Sequence, residues 1–218
     1  MKRVLLWDHD GVLVETEALY LQATREVLAD VGVELDDARY RHLFLVEGIG
    51  AWHLVRGVSD RELAELKERR NARYTALLDK GDVYIPGALA MIADLAPLYR
   101  MAIVTSSRRA HFDVIHRGKA LPGYFEFVLA REDYVASKPD PEPYLTTVAR
   151  LGAAPADCLV IEDSERGLRA AHAANLACWV IPSALTAGSD FTRAERRFDS
   201  LADLHLALRA RAWTDGAR

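Results

Sequence analysis

The chain begins with a short apolar run that ends in two acidic residues. Val4 to Trp7 are all apolar, and Asp8 and Asp10 follow at once, with Gly11 next. An apolar run bounded by polar residues and glycine is typical of a buried strand. In open parallel α/β sheets the ligand site lies beyond the carboxyl ends of the strands, so we expect both acids where a substrate binds. Two acids so close together also suit a divalent cation, although taken alone they fit an ordinary Asp-Gly turn.

Composition narrows the class of protein. Half of the 218 residues are hydrophobic and 28% are charged, which predicts a globular chain with one large domain or one domain with an insertion. A net charge of -4 argues against a nucleic-acid partner. No apolar run is as long as a membrane span, and Asp8 interrupts the N-terminal run too early for a signal peptide. We therefore expect a cytoplasmic protein in which Cys158 and Cys178 are reduced packing residues.

Residues 16–80 have a helical pattern and no convincing strand. Apolar residues recur at helical spacing from Leu19 to Val31, and Gly32 follows them as a C-cap. Ser59 and Glu62 have the spacing of a capping box that begins a second helix. Short polar segments border this region on both sides, as is typical of hinges. We predict a small helical domain over 16–80, inserted into a core formed by 1–15 and 81–218.

After residue 87, helical and strand-like patterns alternate. Apolar strand-like runs cover 101–104, 127–129, 158–161 and 178–181, and helical patterns cover 88–98, 110–117, 141–151, 165–174 and the tail from Leu201. In the helix over 141–151 the predicted apolar face consists of Tyr144, Leu145, Val148 and Leu151. With the N-terminal strand, at least five strands separated by helices predict an α/β fold with a doubly wound parallel sheet.

Polar side chains follow the strands at the sheet edge where the chain would bind its ligand. They are Asp8 and Asp10, then Thr105 and Ser106, then Lys138, and finally Glu162 and Asp163. Singly, each has a common structural explanation, as a helix cap, a solvated loop residue or a helix start. Together they suit a phosphate dianion, because carboxylates hold Mg²⁺ while a lysine and a hydroxyl neutralise and orient phosphoryl oxygens.

In this order the residues resemble the four motifs of the haloacid dehalogenase-like hydrolase superfamily, over nearly the whole chain. The matching stretches are Asp8-His9-Asp10-Gly11-Val12, Thr105, Lys138-Pro139, and Glu162-Asp163-Ser164 with Gly167. The helical insertion after the first motif is similar to the subfamily with an α-helical cap. That subfamily includes phosphoglycolate phosphatases, sugar-phosphate phosphatases and β-phosphoglucomutases. The resemblance implies a Rossmann-like core and an enzyme that hydrolyses phosphoric monoesters.

The resemblance also implies a role for each motif residue. Asp8 would be the nucleophile that forms an aspartyl-phosphate, and Asp10 the general acid and base. The Mg²⁺ ligands would be Asp8, the backbone carbonyl of Asp10, Asp163, and Glu162 directly or through water. The phosphate would be bound by Thr105, Ser106 and Lys138, and Lys138 would also hold Asp8. An acid at position 10 favours phosphate esters, since dehalogenases of the superfamily lack it.

Two departures from the family pattern leave questions open. His9 stands between the two acids, where the superfamily usually has an apolar residue. Two alternatives are open: the side chain of His9 points away from the site, or it perturbs Asp8. Tyr20 stands where β-phosphoglucomutases have a histidine in the cap. This difference favours the interpretation as a phosphatase over that as a mutase. Substrate contacts from the helical insertion are expected at Tyr20, Glu47, Trp52 and Arg70.

These observations predict a Mg²⁺-dependent phosphatase of a small phosphorylated metabolite, of the sugar phosphate or phosphoglycolate type. We expect a monomer or homodimer with neither a nucleic-acid nor a membrane partner. The alternatives are a phosphomutase of the β-phosphoglucomutase type and a non-enzymatic module that binds a metabolite on the same fold.

Overall fold

One parallel sheet organises the protein, whose computed structural model describes residues 3–216. Its strands are β1 (Val4–Trp7), β2 (Arg100–Val104), β3 (Phe127–Leu129), β4 (Cys158–Glu162), β5 (Ala177–Val180) and β6 (Arg196–Arg197). They lie side by side in the order β3-β2-β1-β4-β5-β6, and every neighbouring pair is parallel. The predicted doubly wound α/β fold is confirmed. The two-residue β6 has no apolar run that could have revealed it.

Within residues 3–216, eight α-helices surround the sheet and form the insertion. They are α1 (Glu17–Ala29), α2 (Asp37–Tyr40), α3 (Asp60–Leu78), α4 (Ala88–Leu95), α5 (Arg109–Ile115), α6 (Glu142–Leu151), α7 (Glu165–Ala173) and α8 (Leu201–Gly216). A π-helical turn, Arg41–Val46, continues α2 directly. Short 3₁₀ turns cover Trp52–Leu54, Leu121–Tyr124, Arg131–Asp133 and Pro155–Asp157. The predicted helices are all present, with ends that differ from the prediction by up to three residues.

Alternate residues of β1 face opposite layers, as the pleat of a strand requires. Leu5 and Trp7 belong to an apolar cluster with residues of α4 and α8, whereas Val4 and Leu6 belong to a cluster with α6 and α7. A parallel sheet covered by helices on both faces needs strands that are apolar throughout. The uninterrupted apolar run at the start of the sequence therefore marks the central strand.

Residues 16–80, the helical insertion, contribute all the buried members of one apolar cluster and share a second with Val14 and Ile115. The buried members of the first cluster all come from positions 21 to 51, and no strand is assigned between 16 and 80. Ser59 and Glu62 form the predicted capping box at the start of α3. The two connections to the rest of the chain run side by side, since Glu15 N–H donates to Val83 C=O at 2.7 Å and Ile85 N–H donates to Leu13 C=O at 3.1 Å.

Two details of the predicted core can be compared with the structure. Cys158 and Cys178 are free and buried, as predicted. Leu145, predicted on the buried face of α6, is 47% exposed, so that prediction is wrong. The buried stripe of α6 runs through Tyr144, Val148 and Leu151, spaced four and three residues apart, and Leu145 lies one residue outside it.

The helices of the described residues are too short or too polar to span a membrane. The predicted cytoplasmic location and the monomeric or homodimeric state stay predictions.

Leu145 and Leu151 provide a matched test of the core of α6. We expect Leu151→Ala to lower the free energy of unfolding by about 2–5 kcal/mol, because it leaves a cavity at a site that is 5% exposed. We expect Leu145→Ala to lower it by less than about 1 kcal/mol, because that side chain already faces solvent. Urea unfolding of the two variants measures both values. Equal losses would contradict this assignment of the buried face.

Candidate active site

Three carboxylates converge at the carboxyl edge of the sheet. Asp8 follows β1, Glu162 ends β4 and Asp163 follows it, and β1 and β4 are neighbours in the sheet. One oxygen of each lies within 4.8 Å of the others, and all three residues are buried. The pairing of adjacent parallel strands thus brings together acids that are more than 150 positions apart in the sequence.

Lys138 lies between two of these carboxylates. Its Nζ donates to Oδ1 of Asp8 at 2.7 Å, to Oε1 of Glu162 at 2.7 Å, and to the carbonyl oxygen of Val104 at 2.9 Å. The side chain is almost completely buried, and its three acceptors follow or end β1, β4 and β2. The predicted contact between Lys138 and Asp8 is therefore present.

The cluster has more negative than positive charge. Burial, with the charge of Glu162 next in importance, raises the pKa of Asp8 to about 7, against the opposing effect of Lys138. Burial and the charges of Asp8 and Glu162 raise the pKa of Asp163 well above its usual range. Three buried carboxylates facing one ammonium group fit a site for a divalent cation, since hard oxygen ligands and added positive charge would relieve this repulsion.

The surroundings of Asp163 and Glu162 differ in how much room they leave for a cation. A Cβ on Gly11 would lie 2.2 Å from Oδ2 of Asp163, so only glycine lets that carboxylate turn toward Asp8. Both oxygens of Glu162 already accept hydrogen bonds: Oε1 from Lys138 and Tyr144, and Oε2 from Ser164 Oγ and two backbone N–H groups. These bonds lower the pKa of Glu162 despite its burial. The arrangement favours contact with a cation through water over direct ligation by Glu162.

Asp10 lies beside this cluster but points into a ring of hydroxyl groups. Thr16 Oγ1 donates to its Oδ1 at 2.5 Å, and Thr105 Oγ1 and Ser107 Oγ donate to its Oδ2 at 3.0 and 2.9 Å. Burial raises the pKa of Asp10, but the combined effect of His9 and these hydroxyls outweighs burial and lowers it below its usual range. Thr105, predicted to bind phosphate, contacts Asp10, and sequence reasoning missed the role of Ser107.

His9 turns away from Asp8 and contacts Asp10. Its Nδ1 lies 3.2 Å from Oδ2 of Asp10, and its Nε2 lies 2.9 Å from Nε2 of His116. Nδ1 of His116 lies 2.5 Å from the hydroxyl of Tyr84. Burial and the neighbouring His9 lower the pKa of His116 to about 3. Sequence reasoning missed His116 and Tyr84, because neither belongs to a recognisable pattern.

A cavity of about 660 Å³ opens between the helical insertion and the sheet edge. Asp10 and Ser106 line it from the core, and Tyr20, Trp52 and Arg70 line it from the insertion. Glu47 is exposed and does not line it, although its neighbour Gly48 does. A Cβ on Gly48 would lie 2.7 Å from the carbonyl oxygen of Lys138, so this loop approaches the core closely.

Two of the arginines that line the cavity, Arg70 and Arg166, have buried side-chain donors. The guanidinium of Arg70 lies 4.4 Å from the ring centre of Tyr20 and 5.5 Å from that of Trp52. Arg166, in the first turn of α7, lines the cavity and was not predicted. Nη1 of Arg70 and Nε of Arg166 are buried and have no hydrogen-bond partner within residues 3–216. Buried donors without a partner are costly, so both suit a ligand rich in oxygen.

The structure is that of an α/β protein with an acidic ligand site at the strand ends. This site consists of the carboxylates bridged by Lys138 and the adjoining cavity. Residues 5–181 match the family model described as "Haloacid dehalogenase-like hydrolase". The chain therefore belongs to the haloacid dehalogenase-like hydrolase family, and the resemblance drawn from the four motifs is confirmed.

Individual relatives agree with this assignment. The chain is 33% identical to Protein CbbY of Rhodobacter capsulatus over 212 residues, which cover 91% of this chain and 93% of the relative. It is 28% identical to Fructose-1-phosphate phosphatase YqaB of Escherichia coli K12, covering 79% of this chain and 92% of the relative. A crystal structure of a CbbY variant from Rhodobacter sphaeroides, in complex with xylulose-(1,5)bisphosphate, superposes with a TM-score of 0.80 at 28% identity, covering 94% and 96% of the two chains. Family and relatives support the prediction of a phosphatase.

The lowered pKa of His116 predicts acid sensitivity. An unfolded histidine titrates near pH 6.5, so between pH 6.5 and about 3 the unfolded state binds a proton that folded His116 does not. The free energy of unfolding should then fall as the pH decreases through this window, by up to about 1.4 kcal/mol per pH unit from this residue. Urea unfolding from pH 7 to 4.5 should show a steeper loss for the wild type than for His116→Gln.

The control for this measurement is His172→Gln, at an exposed position of α7. His116 faces His9 and Tyr84, and the charge of Asp10 also acts on it, so only the difference between wild type and variant isolates its contribution. Parallel pH profiles for the wild type and His116→Gln would contradict the assignment.

Proposed function

We propose that the protein is a Mg²⁺-dependent phosphatase that transfers the phosphoryl group of a phosphorylated sugar to Asp8 and then to water. The observation that supports this best is the bond from Lys138 to Asp8 within a buried cluster of three carboxylates. A carboxylate held by a buried cation beside a cavity is placed to attack, whereas a module that only binds a metabolite needs no such nucleophile.

In the first step, an oxygen of Asp8 attacks phosphorus and the bond from phosphorus to the sugar oxygen breaks. Lys138 neutralises part of the charge that opposes the approach of Asp8 to an anionic ester. Asp10 gives a proton to the departing sugar oxygen. In the second step, water attacks the aspartyl-phosphate, Asp10 takes the proton of that water, and free phosphate leaves as Asp8 recovers its carboxylate. Ester and water are thereby converted to alcohol and phosphate.

Asp10 must carry a proton at the start of this cycle. The hydrogen bonds that it accepts lower its pKa in the structure, so it is ionised without substrate at neutral pH. A phosphate dianion bound nearby adds negative charge and competes for the hydroxyls of Thr105 and Ser107. Both effects favour protonation of Asp10 when the substrate is present.

Asp8, the backbone carbonyl of Asp10 and Asp163 would hold Mg²⁺, with Glu162 in contact through water. When bound, Mg²⁺ supplies positive charge that screens the phosphoryl oxygens and favours attack by a carboxylate. Glu162 would act mainly by orienting Lys138, since it accepts from Nζ at 2.7 Å.

We further propose that residues 16–80 form a cap domain on a core of 1–15 and 81–218. The separate apolar cluster and the paired connections at Glu15 and Ile85 support this division. The cap would exclude bulk water and supply the side chains that distinguish one phosphate ester from another.

A sugar phosphate is the substrate class that the cavity suits best. Relatives are named for fructose 1-phosphate and hexitol phosphatase activities, and a related structure holds xylulose-(1,5)bisphosphate. In this chain the aromatic rings of Tyr20 and Trp52 offer apolar faces, and Arg70 and Arg166 offer donors for hydroxyl or phosphate oxygens. Tyr20 takes no part in the acid-base steps of this proposal.

The first test is release of phosphate from fructose 1-phosphate, xylulose 1,5-bisphosphate and phosphoglycolate, with Mg²⁺ or with EDTA. We expect turnover with Mg²⁺ only, and a loss of at least about 10³-fold in kcat for Asp8→Asn, because the amide is a poor nucleophile. An acid-quenched reaction should contain a phosphoprotein that hydroxylamine cleaves, and this species should be absent from Asp8→Asn.

Asp199→Asn is the matched control, since that side chain is 93% exposed, and it should behave as the wild type. Retained activity in Asp8→Asn would exclude Asp8 as the nucleophile. Conversion of a hexose 1-phosphate that depends on a bisphosphate activator would instead establish the mutase. Binding of all three esters without turnover would establish the binding module.

Arg70 and Arg73, both on α3, provide a test of the proposed substrate contact. Arg73 pairs with Glu26 and Asp30 at the surface, whereas Arg70 is buried at the cavity. We expect Arg70→Met to lower kcat/KM about 10- to 100-fold, because a charge-assisted hydrogen bond to the substrate contributes about 1.5–3 kcal/mol. Arg73→Met should leave kcat/KM unchanged. The same kinetics for both variants would place substrate recognition elsewhere.

A further inference from the structure

A chain of hydrogen bonds, buried at His9 and His116, leads from Asp10 away from the cavity. It passes from Oδ2 of Asp10 to His9 at 3.2 Å, from His9 to His116 at 2.9 Å, and from His116 to the hydroxyl of Tyr84 at 2.5 Å. We propose that His9 is a positioning residue for Asp10, and that His116 and Tyr84 fix the ring tautomer in which His9 holds it. This proposal rests on the proposed role of Asp10 as acid and base.

The direction of each hydrogen bond follows from the chemistry of the groups. An ionised carboxylate can only accept, so Nδ1 of His9 must carry the proton that it donates to Asp10. With one proton on each ring, Nε2 of His9 then accepts, and Nε2 of His116 must donate to it. Nδ1 of His116 is left as an acceptor, which the hydroxyl of Tyr84 supplies with a proton. This is the one arrangement that satisfies all three contacts with singly protonated rings.

The location of His9 distinguishes its hydrogen bond from the other three that Asp10 accepts. Thr16, Thr105 and Ser107 donate through hydroxyls, whose protons can turn toward another acceptor, and Ser107 also lines the cavity. The ring of His9 is fully buried, and its centre lies 5.0 Å from that of Phe112 in α5. A packed ring has one direction for its N–H, so His9 continues to hold Oδ2 when the hydroxyls turn toward substrate.

The far end of the chain lies at the connection between the helical insertion and the core. Tyr84 forms an isolated bridge with Val14, next to the two connections that run side by side. The backbone of this connection fixes the position from which the side chain of Tyr84 reaches His116. The chain of hydrogen bonds thus has the hydroxyl of Tyr84 as donor at one end and the carboxylate of Asp10 at the other.

Ring ¹⁵N NMR of the wild-type protein tests the tautomers directly and does not depend on activity. We expect a protonated Nδ1 and an unprotonated Nε2 for His9, and the reverse for His116. Assignment can use His9→Asn and His116→Gln, each of which removes one set of ring signals. A proton on Nε2 of a singly protonated His9 would overturn the proposal.

Kinetics test the positioning role. Removal of the donor in His9→Leu should lower kcat about 10- to 100-fold with KM little changed, because the substrate is still bound but Asp10 is misaligned. His9→Asn has the same branching at Cγ as the Leu variant but places an N–H close to the position of Nδ1, so it should recover most of the lost kcat. Tyr84→Phe should lower kcat by a smaller factor, and Tyr124→Phe, at an exposed position, should have no effect.

The outcomes separate this inference from the proposed function. A wild type that releases no phosphate refutes the proposed function, while the NMR result still decides whether the chain of hydrogen bonds exists. An active wild type with an equally active His9→Leu overturns the positioning role. Equal losses in folded His9→Leu and His9→Asn also overturn it, since packing and not the donor would then matter. If His9→Leu does not fold, the Asn and Tyr84→Phe variants decide.

Discussion

The ammonium group of Lys138 is shared by the carboxylates of Asp8 and Glu162 and by the carbonyl oxygen of Val104. A buried lysine is tolerated only when such partners compensate for its lost hydration, and these partners raise its pKa despite burial. They belong to three adjacent strand ends, so the order of the sheet determines whether Lys138 can be buried at all. Conversely, without Lys138 the carboxylates of Asp8 and Glu162 would lose the buried cation that donates to both.

Two glycines next to the cluster leave space for its carboxylates. A Cβ on Gly167 would lie 1.9 Å from the carboxylate of Glu162, and one on Gly11 would overlap that of Asp163. Each glycine gives an acid the space to turn toward the centre of the cluster. Glu162 uses that space to accept five hydrogen bonds, whereas the bond that Asp163 accepts from Thr186 is long, at 3.5 Å. The two neighbouring acids are therefore suited to different tasks, one to support Lys138 and the other to bind a cation.

The sequence predicts those parts of the structure that depend on local pattern. Apolar runs identified five strands, and the spacing of Ser59 and Glu62 identified the start of α3, because both signals lie within a few residues. Parallel pairing then brings the strand ends together without further information. The prediction was wrong for Leu145, where two adjacent apolar residues left the buried stripe of α6 ambiguous. It missed β6, which is a short, exposed pair of arginines.

Contacts between distant loops could not be predicted in this way. His9 contacts His116, which lies 107 positions away, directly after α5, in a stretch with no functional motif. Arg166 follows a recognisable motif, but its cavity contact depends on where the helical insertion sits. Glu47 and Gly48 are neighbours, and only the glycine reaches the cavity, since the turn directs the glutamate outward. Such details arise from tertiary packing, for which a single sequence has no local signal.

The carboxylate of Asp10 accepts hydrogen bonds from both the insertion and the core. Thr16, at the start of α1, donates to one of its oxygens, and residues following β1 and β2 donate to the other. A shift of the insertion changes the first contact but not the buried one from His9. An acid-base group anchored in this way can keep its alignment with Asp8 while the cavity above it adapts to different substrates. Substrate choice can then vary through residues such as Tyr20 and Arg70 without disturbing the chemistry beneath them.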